Sequence, residues 1–283
     1  MAFEWANSDS RYFLQQGYLR EDETLEDRVR DIAQTAEHIL AEPGFADKFY
    51  NYMGMGAFSL SSPVWANFGR VEGLPVSCNG SWVPDRMDGI LAKVAEVGMM
   101  TKHGAGTSAY FGAIRPRGSV IRGGGIADGA VHFMEFYQTA ISLTSQGPVR
   151  RGALAAYLPI EHPDAKEYLK SRSEGHPIQK LSIGVTVSDE FMQKVIARDP
   201  EASDLWARVI QKRRETGYPY IIFIDNMNKH AADVYRDKNM RILMSNLCTE
   251  IAQPNSEDES FVCTLASMNL ATYDLWKGTD APK

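Results

Sequence analysis

Leu181-Ser182-Ile183-Gly184-Val185-Thr186-Val187 puts an apolar side chain at every second position, and Ser188 is followed by Phe191, Met192 and Val195 at helical spacing. The alternation predicts a strand and Ser188 an N-cap, whose hydroxyl can serve the first free amides of the next helix. Ser203 to Glu215 repeats the amphipathic pattern and stops at Gly217, a C-terminal signal. Tyr220 to Ile224 is then a short apolar run of the kind buried strands have. Strand, helix, helix, strand predicts an α/β architecture.

Upstream, Phe133, Phe136, Tyr137 and Ala140 mark a helix running into the loop Ser145-Gln146-Gly147-Pro148-Val149-Arg150-Arg151-Gly152. Met87, Ile90, Leu91, Val94 and Val97 predict another from about Asp85. Thr24-Leu25-Glu26-Asp27 opens a third with Thr24 as N-cap; Val29, Ile32, Ala33, Ala36, Ile39 and Leu40 share one face, and it should stop near Pro43-Gly44. His103 to Gly129 is dense in glycine. Gly104-Ala105-Gly106-Thr107-Ser108-Ala109 fits a loose dinucleotide fingerprint, but a helix rather than a strand precedes it. That leaves a structural turn or a loop that approaches phosphate. No repeat, low-complexity tract or linker interrupts the chain.

The 283 residues, 44% hydrophobic and 23% charged, describe a globular protein with a real core. A net charge of −6 without a basic block argues against a nucleic-acid reader. No apolar run reaches the roughly 20 residues of a membrane span, and Met1-Ala2-Phe3-Glu4-Trp5 is no secretory signal. Three cysteines make no disulfide framework, so a reducing, cytoplasmic location is expected.

Each of Cys78, Cys248 and Cys263 could be a small buried hydrophobe, the ordinary fate of a free cysteine. A zinc site is disfavoured: no pair is spaced Cys-x-x-Cys, and no His lies near Cys248 or Cys263. No metal ligands are expected. Asn246 and Glu250 lie two residues either side of Cys248, so in extended chain all three would face one way. A thiol, an amide and a carboxylate on one face form a usable site: an abstracting sulfur, a hydrogen-bonding amide and a general base.

Ser245-Asn246-Leu247-Cys248-Thr249-Glu250-Ile251 resembles the finger-loop signature of ribonucleotide reductases. Phe261-Val262-Cys263-Thr264-Leu265 through Asn269-Leu270 resembles the segment bearing one redox-active cysteine, and Ser61-Ser62-Pro63 through Ser77-Cys78 the segment bearing the other. Gly118-Ser119-Val120-Ile121-Arg122-Gly123-Gly124 and Ser145-Gln146-Gly147-Pro148-Val149-Arg150 continue the likeness, which covers Phe58 to Asp280 in the family's order. The resemblance implies an α/β fold: an N-terminal helical segment, 1–57, followed over 58–283 by the first part of a ten-stranded α/β barrel with its finger loop and effector region.

The resemblance also implies roles. Cys248 would become the thiyl radical that removes the 3′ hydrogen of the ribose, with Glu250 as base on the 3′ hydroxyl and Asn246 holding the ribose hydroxyls. Cys78 and Cys263 would supply the reducing electrons and end as a disulfide, which requires their Cα atoms within about 7 Å. Ser62 and Ser77 match substrate-contacting positions. Asp85, Lys102 and Arg115 align with positions that bind nucleoside triphosphate effectors, and Arg150 with the residue that relays effector identity to the substrate base. No cofactor would sit in this chain itself. The radical would come from a metal-containing small subunit or, alternatively, from adenosylcobalamin.

Partners implied are that small subunit, thioredoxin or glutaredoxin, a second copy in a homodimer, and a complementary C-terminal part of the large subunit. The chain is therefore expected to be a fragment or a split-subunit piece, inactive alone. Two other readings stand beside this one. A regulatory module would bind nucleotides without chemistry, and a glycyl-radical enzyme of similar barrel type is disfavoured by the presence of both Cys78 and Cys263.

Overall fold

The computed structural model describes residues 3–144 and 151–281. Its main sheet has six strands: β2 (Cys78–Trp82), β3 (Gly106–Tyr110), β4 (Leu154–Pro159), β5 (Ser182–Val187), β6 (Tyr220–Phe223) and β7 (Phe261–Cys263), in the order β6-β5-β4-β3-β2-β7. β2 to β6 run parallel to their neighbours and β7 antiparallel to β2, a curled half-barrel of an α/β fold. β1 (Phe58–Leu60) pairs instead with β8 (Ala266–Met268), antiparallel, as a separate ribbon.

Among the described residues, four α-helices start on a side-chain cap. Thr24 and Asp27 form a reciprocal capping box at the head of Leu25–Leu40, and the Ser188 hydroxyl accepts from the Phe191 amide ahead of Asp189–Ile196. Pro200–Thr216 begins earlier than its apolar pattern, because Asp199 caps the Ala202 amide, and it ends on Gly217 in the left-handed conformation. The helix expected from Asp85 begins at Met87; Asp85 itself is engaged by Arg115. Ile39 and Leu40 are exposed, so the buried stripe of Leu25–Leu40 ends at Ala33.

Gly104–Ala109 corrects its sequence reading. Only Gly104 is a turn, at φ +94°, and Gly106–Tyr110 is a central strand rather than a phosphate loop. Its polar side chains are satisfied across strands: Thr107 Oγ1 donates to Ala153 O at 2.9 Å and Ser108 Oγ to Asn79 O at 3.3 Å.

The outer face of the sheet buries Ala109, Phe111, Leu158, Ile183 and Val185 in one core with residues of helices Met87–Lys102, Gly129–Leu143, Asp189–Ile196 and Pro200–Thr216. The inner face is smaller and mixed: Ala155, Tyr157, Ile222, Met244 and Phe261, with Leu247 and Ile251 packed on it. A third core, from Phe3, Leu25, Val29, Ile32, Met53 and Trp65, gathers Phe58, Leu60 and Phe68 as well, so the N-terminal helical packing runs past residue 57. Within it the fully buried Arg28 donates to the carbonyls of Trp65 at 2.7 Å, Val64 at 3.1 Å and Phe68 at 2.7 Å. These bonds satisfy the free end of the short helix Ser62–Asn67 and fix where Ser62 stands.

β7 is fastened to β2 from outside the ladder. The Glu96 carboxylate accepts from Ser81 Oγ at 2.7 Å, Ser260 Oγ at 2.5 Å and Lys93 Nζ at 2.8 Å, tying strand, helix and the residue ahead of β7 together.

Candidate active site

Cys78 and Cys263 stand directly opposite each other across β2 and β7. Facing residues of an antiparallel pair have Cα atoms about 4.5–5.5 Å apart, inside the span a disulfide can bridge. Both are buried thiols. Burial, then the neighbouring Cys78, pushes the Cys263 thiol up to about 12.

Residues 245–251 pack onto the inner face beside this pair, with Leu247 over Gly106, where a Cβ would lie 2.9 Å from Leu247 Cδ2. The loop is not extended, so the expectation that Asn246, Cys248 and Glu250 share one face is corrected. Leu247 and Cys248 form a turn and Thr249 takes φ +72°, which reverses the side-chain directions. Cys248 and Glu250 are exposed while Asn246 is fully buried.

Asn246 organises the loop instead. Its Oδ1 accepts from the Glu250 amide at 3.0 Å, the Ile251 amide at 3.1 Å and Ser245 Oγ at 3.2 Å, and its Nδ2 donates to Cys78 Sγ at 3.2 Å. It lies behind the cavity wall, not on it.

A cavity of about 370 Å³ opens over these groups, lined among others by Ser61, Ser62, Ser77, Cys78, Cys248 and Glu250. Five of the seven expected catalytic and substrate residues therefore meet on one wall, with Asn246 and Cys263 beneath it. The hydroxyls of Ser61 and Ser77 are buried with no hydrogen-bond partner among the described residues. Orphaned donors in a cavity wall are unfavourable unless a ligand completes them. Ser61 was missed by sequence reasoning; the Ser61-Ser62-Pro63 doublet at a helix start was the available signal. A larger cavity, about 670 Å³, between the helix Ser8–Gln15 and the β1–β8 ribbon carries no titratable side chain, so the smaller one is the better reaction site.

The effector candidates are only partly brought together. Asp85 Oδ2 accepts from Arg115 Nε at 2.8 Å, and Asp85 Oδ1 from the Arg115 amide at 3.1 Å. Lys102 is the last residue of helix Met87–Lys102, whose first residue follows Asp85 by two. At 1.5 Å per residue it stands roughly 20 Å from that pair, because one straight helix separates them. Arg150 lies outside the described residues. Among the described residues, no cluster of three His, Cys, Asp or Glu could hold a metal ion, and no helix is long and apolar enough to cross a membrane.

Residues 76–201 and 196–281 match the family described as ribonucleotide reductase, barrel domain. Over 84% of its length the chain is 31% identical to a Frog virus 3 protein assigned as a ribonucleoside-diphosphate reductase large subunit, of which it covers 44%. Over 91% of its length it is 28% identical to a vitamin B12-dependent ribonucleoside-diphosphate reductase of Thermoplasma acidophilum, covering 35% of that protein. The solved structure of the Actinobacillus ureae class Id ribonucleotide reductase alpha subunit matches 99% of this chain with a TM-score of 0.94 and 52% identity. That match covers 52% of the Actinobacillus chain, so this chain spans about half the length, or less, of the relatives it matches.

Proposed function

Because the chain belongs to the ribonucleotide reductase family, we propose that it carries the thiol side of a site that reduces ribonucleoside diphosphates to 2′-deoxyribonucleotides. One observation carries the reading: Cys248 and Glu250 share a cavity wall with Cys78, which faces Cys263 across β2 and β7. In this reading Cys248, as a thiyl radical, removes the 3′ hydrogen and Glu250 accepts the 3′ hydroxyl proton. The 2′ carbon–oxygen bond breaks and the oxygen leaves as water. Cys78 and Cys263 give up two electrons and two hydrogens, one leaving in the water and one going to C2′, and join as a disulfide. Cys248 returns its hydrogen to C3′ and Glu250 its proton to the 3′ oxygen, which restores the thiyl radical and the carboxylate.

The orphaned Ser61 and Ser77 hydroxyls, with Ser62, would meet the substrate's ribose and phosphate. Asn246, behind the wall, would hold the loop and Cys78 in place beneath the substrate rather than meet the ribose itself. The radical would come from a metal-containing small subunit, favoured over adenosylcobalamin by the likeness to a class Id alpha subunit. Thioredoxin or glutaredoxin would re-reduce the pair, and the rest of the large subunit would complete the substrate site.

A triphosphate effector would bind at Asp85 and Arg115, which are about one-third exposed. The exposed Met87, Leu91, Met99, Phe136 and Leu143, on two helices that pack together, support a homodimer. The reading keeps 1–57 as a helical segment beside a partial barrel over 58–283.

The test is a reductase reconstituted with its radical-generating partner and the remainder of the subunit. Cys248→Ser abolishes deoxynucleotide formation, and turnover without external reductant leaves a Cys78–Cys263 disulfide detectable by mass spectrometry. Full turnover by Cys248→Ser refutes the reading.

A further inference from the structure

Thr249 holds a left-handed backbone that a β-branched residue adopts only when its surroundings impose it. What imposes it lies beneath the loop. Tyr157, on β4, is fully buried, and its hydroxyl donates to the Asn246 carbonyl at 2.7 Å while lying 3.4 Å from Thr249 Oγ1. Asn246 and Thr249 bracket Leu247 and Cys248, so one phenol reaches both ends of the turn that presents the thiol. Its ring has room because the residue opposite it on β5 is Gly184; a Cβ there would lie 2.4 Å from Tyr157 Cε1. Burial pushes the Tyr157 phenol far above its usual range, so it stays a donor at any working pH.

We propose that Tyr157, seated by Gly184, is a positioning residue that fixes where Cys248 stands relative to Cys78 and Glu250. Tyr157 does not line the cavity and acts only through the loop. The proposal rests on the reading of Cys248 as the hydrogen-abstracting thiol. A tyrosine that merely fills the inner core, against Ala155, Ile222 and Met244, would give up its hydroxyl without consequence for the loop.

Tyr157→Phe keeps the ring and removes the clamp. In the full chain, hydrogen exchange at the amides of Thr249, Glu250 and Ile251, which bond to the Asn246 carbonyl or side chain, becomes about three- to tenfold faster, the effect of losing one net hydrogen bond. Amides of β4 and β5 stay unchanged. In the reconstituted reductase kcat falls by a similar factor, roughly three- to tenfold, with KM unaltered, the pattern of a group that counts only in the transition state. Gly184→Ala, which displaces the ring and keeps the hydroxyl, changes both readouts in the same direction. Unchanged loop amides in Tyr157→Phe, or an unchanged kcat while Cys248→Ser abolishes turnover, overturns the proposal. Should Cys248→Ser itself leave turnover intact, the reading of Cys248 fails and exchange alone decides the clamp: faster loop amides support it and unchanged ones overturn it.

Discussion

Gly80 faces Phe261 where β7 joins β2, two residues along from Cys78 and Cys263 on the same side of the ladder. A methyl group at Gly80 would stand 2.1 Å from Phe261 Cζ and 2.3 Å from Cε1. The ring must withdraw by about 1.4 Å to regain an ordinary carbon–carbon contact of about 3.5 Å. It has little freedom, being packed with Ala155, Tyr157, Ile222 and Met244 and followed within two residues by the strand's end. Overpacking of this kind costs about 1–3 kcal/mol. Gly80→Ala is therefore expected to lower the urea midpoint, and the melting temperature by about 2–4 °C for each kcal/mol.

Because β7 can yield only by moving off β2, the same variant should also disfavour the Cys78–Cys263 disulfide. Equilibration against glutathione, read by mass spectrometry, should show its formation constant falling about tenfold for every 1.4 kcal/mol that the displacement takes from the pairing. Phe261→Leu in the Gly80→Ala background shortens the clashing group and should return part of both losses, a coupling of about 0.5–3 kcal/mol. A Gly80→Ala chain with unaltered urea midpoint and unaltered thiol oxidation would show that Phe261 does not set the register of β7.

Burial works against the charge of Glu96, but hydrogen bonds from Lys93, Ser260 and Ser81 outweigh it and hold the carboxyl below its usual 4.5. Its stabilisation is then present above about pH 4.5 and lost as pH falls through the lower folded value, so Glu96→Gln should flatten the acid limb of urea midpoints measured from pH 3 to 7. Cys263, raised to about 12 by burial and by Cys78, favours the neutral thiol when folded. That stability is present below the ordinary value of 9.0 and lost as pH rises toward 12, and iodoacetamide at pH 8 should label the exposed Cys248 well before Cys263. Arg115→Ala frees Asp85 and, if the pair binds triphosphate, should weaken dATP or dTTP binding by about 1.5–3 kcal/mol in calorimetry. The Arg115–Asp85 pair is partly exposed, so folding stability should change by less than about 1 kcal/mol.

Much of the helical frame was readable because its signals are local: Thr24, Ser188 and Gly217 act on amides and carbonyls within one turn of themselves. β5 and β6 were readable as apolar strands. β2 and β3 were not, since Cys-Asn-Gly-Ser-Trp and Gly-Thr-Ser-Ala-Tyr show no alternation, and their polar groups find partners only across the finished sheet. Their small residues leave the inner face open for residues 245–251, which is why a glycine pattern stood where a strand was needed. The cysteines and Glu250 were legible as motifs. The inward turn of Asn246 was not, because it depends on the Thr249 backbone and on Tyr157, ninety residues away in sequence terms and invisible to spacing. The Glu96–Ser260 tie escaped for the same reason, its partners being 164 positions apart.

The β1–β8 ribbon gives the cavity a position in time as well as in space. Phe58 pairs with Met268, and the Ser61 amide bonds Leu265 O at 3.0 Å, so the wall beside Ser61 and Ser62 exists only after both segments have been synthesised. The five parallel strands need only near neighbours, and each can dock on the one before it as it leaves the ribosome. β7 and β8 close long loops, back to β2 and β1, and contacts of that separation form late. Cys78 thus waits beside β3 to β6 for a partner thiol that is made after all four of them, and the redox pair forms together with the ribbon that walls the pocket.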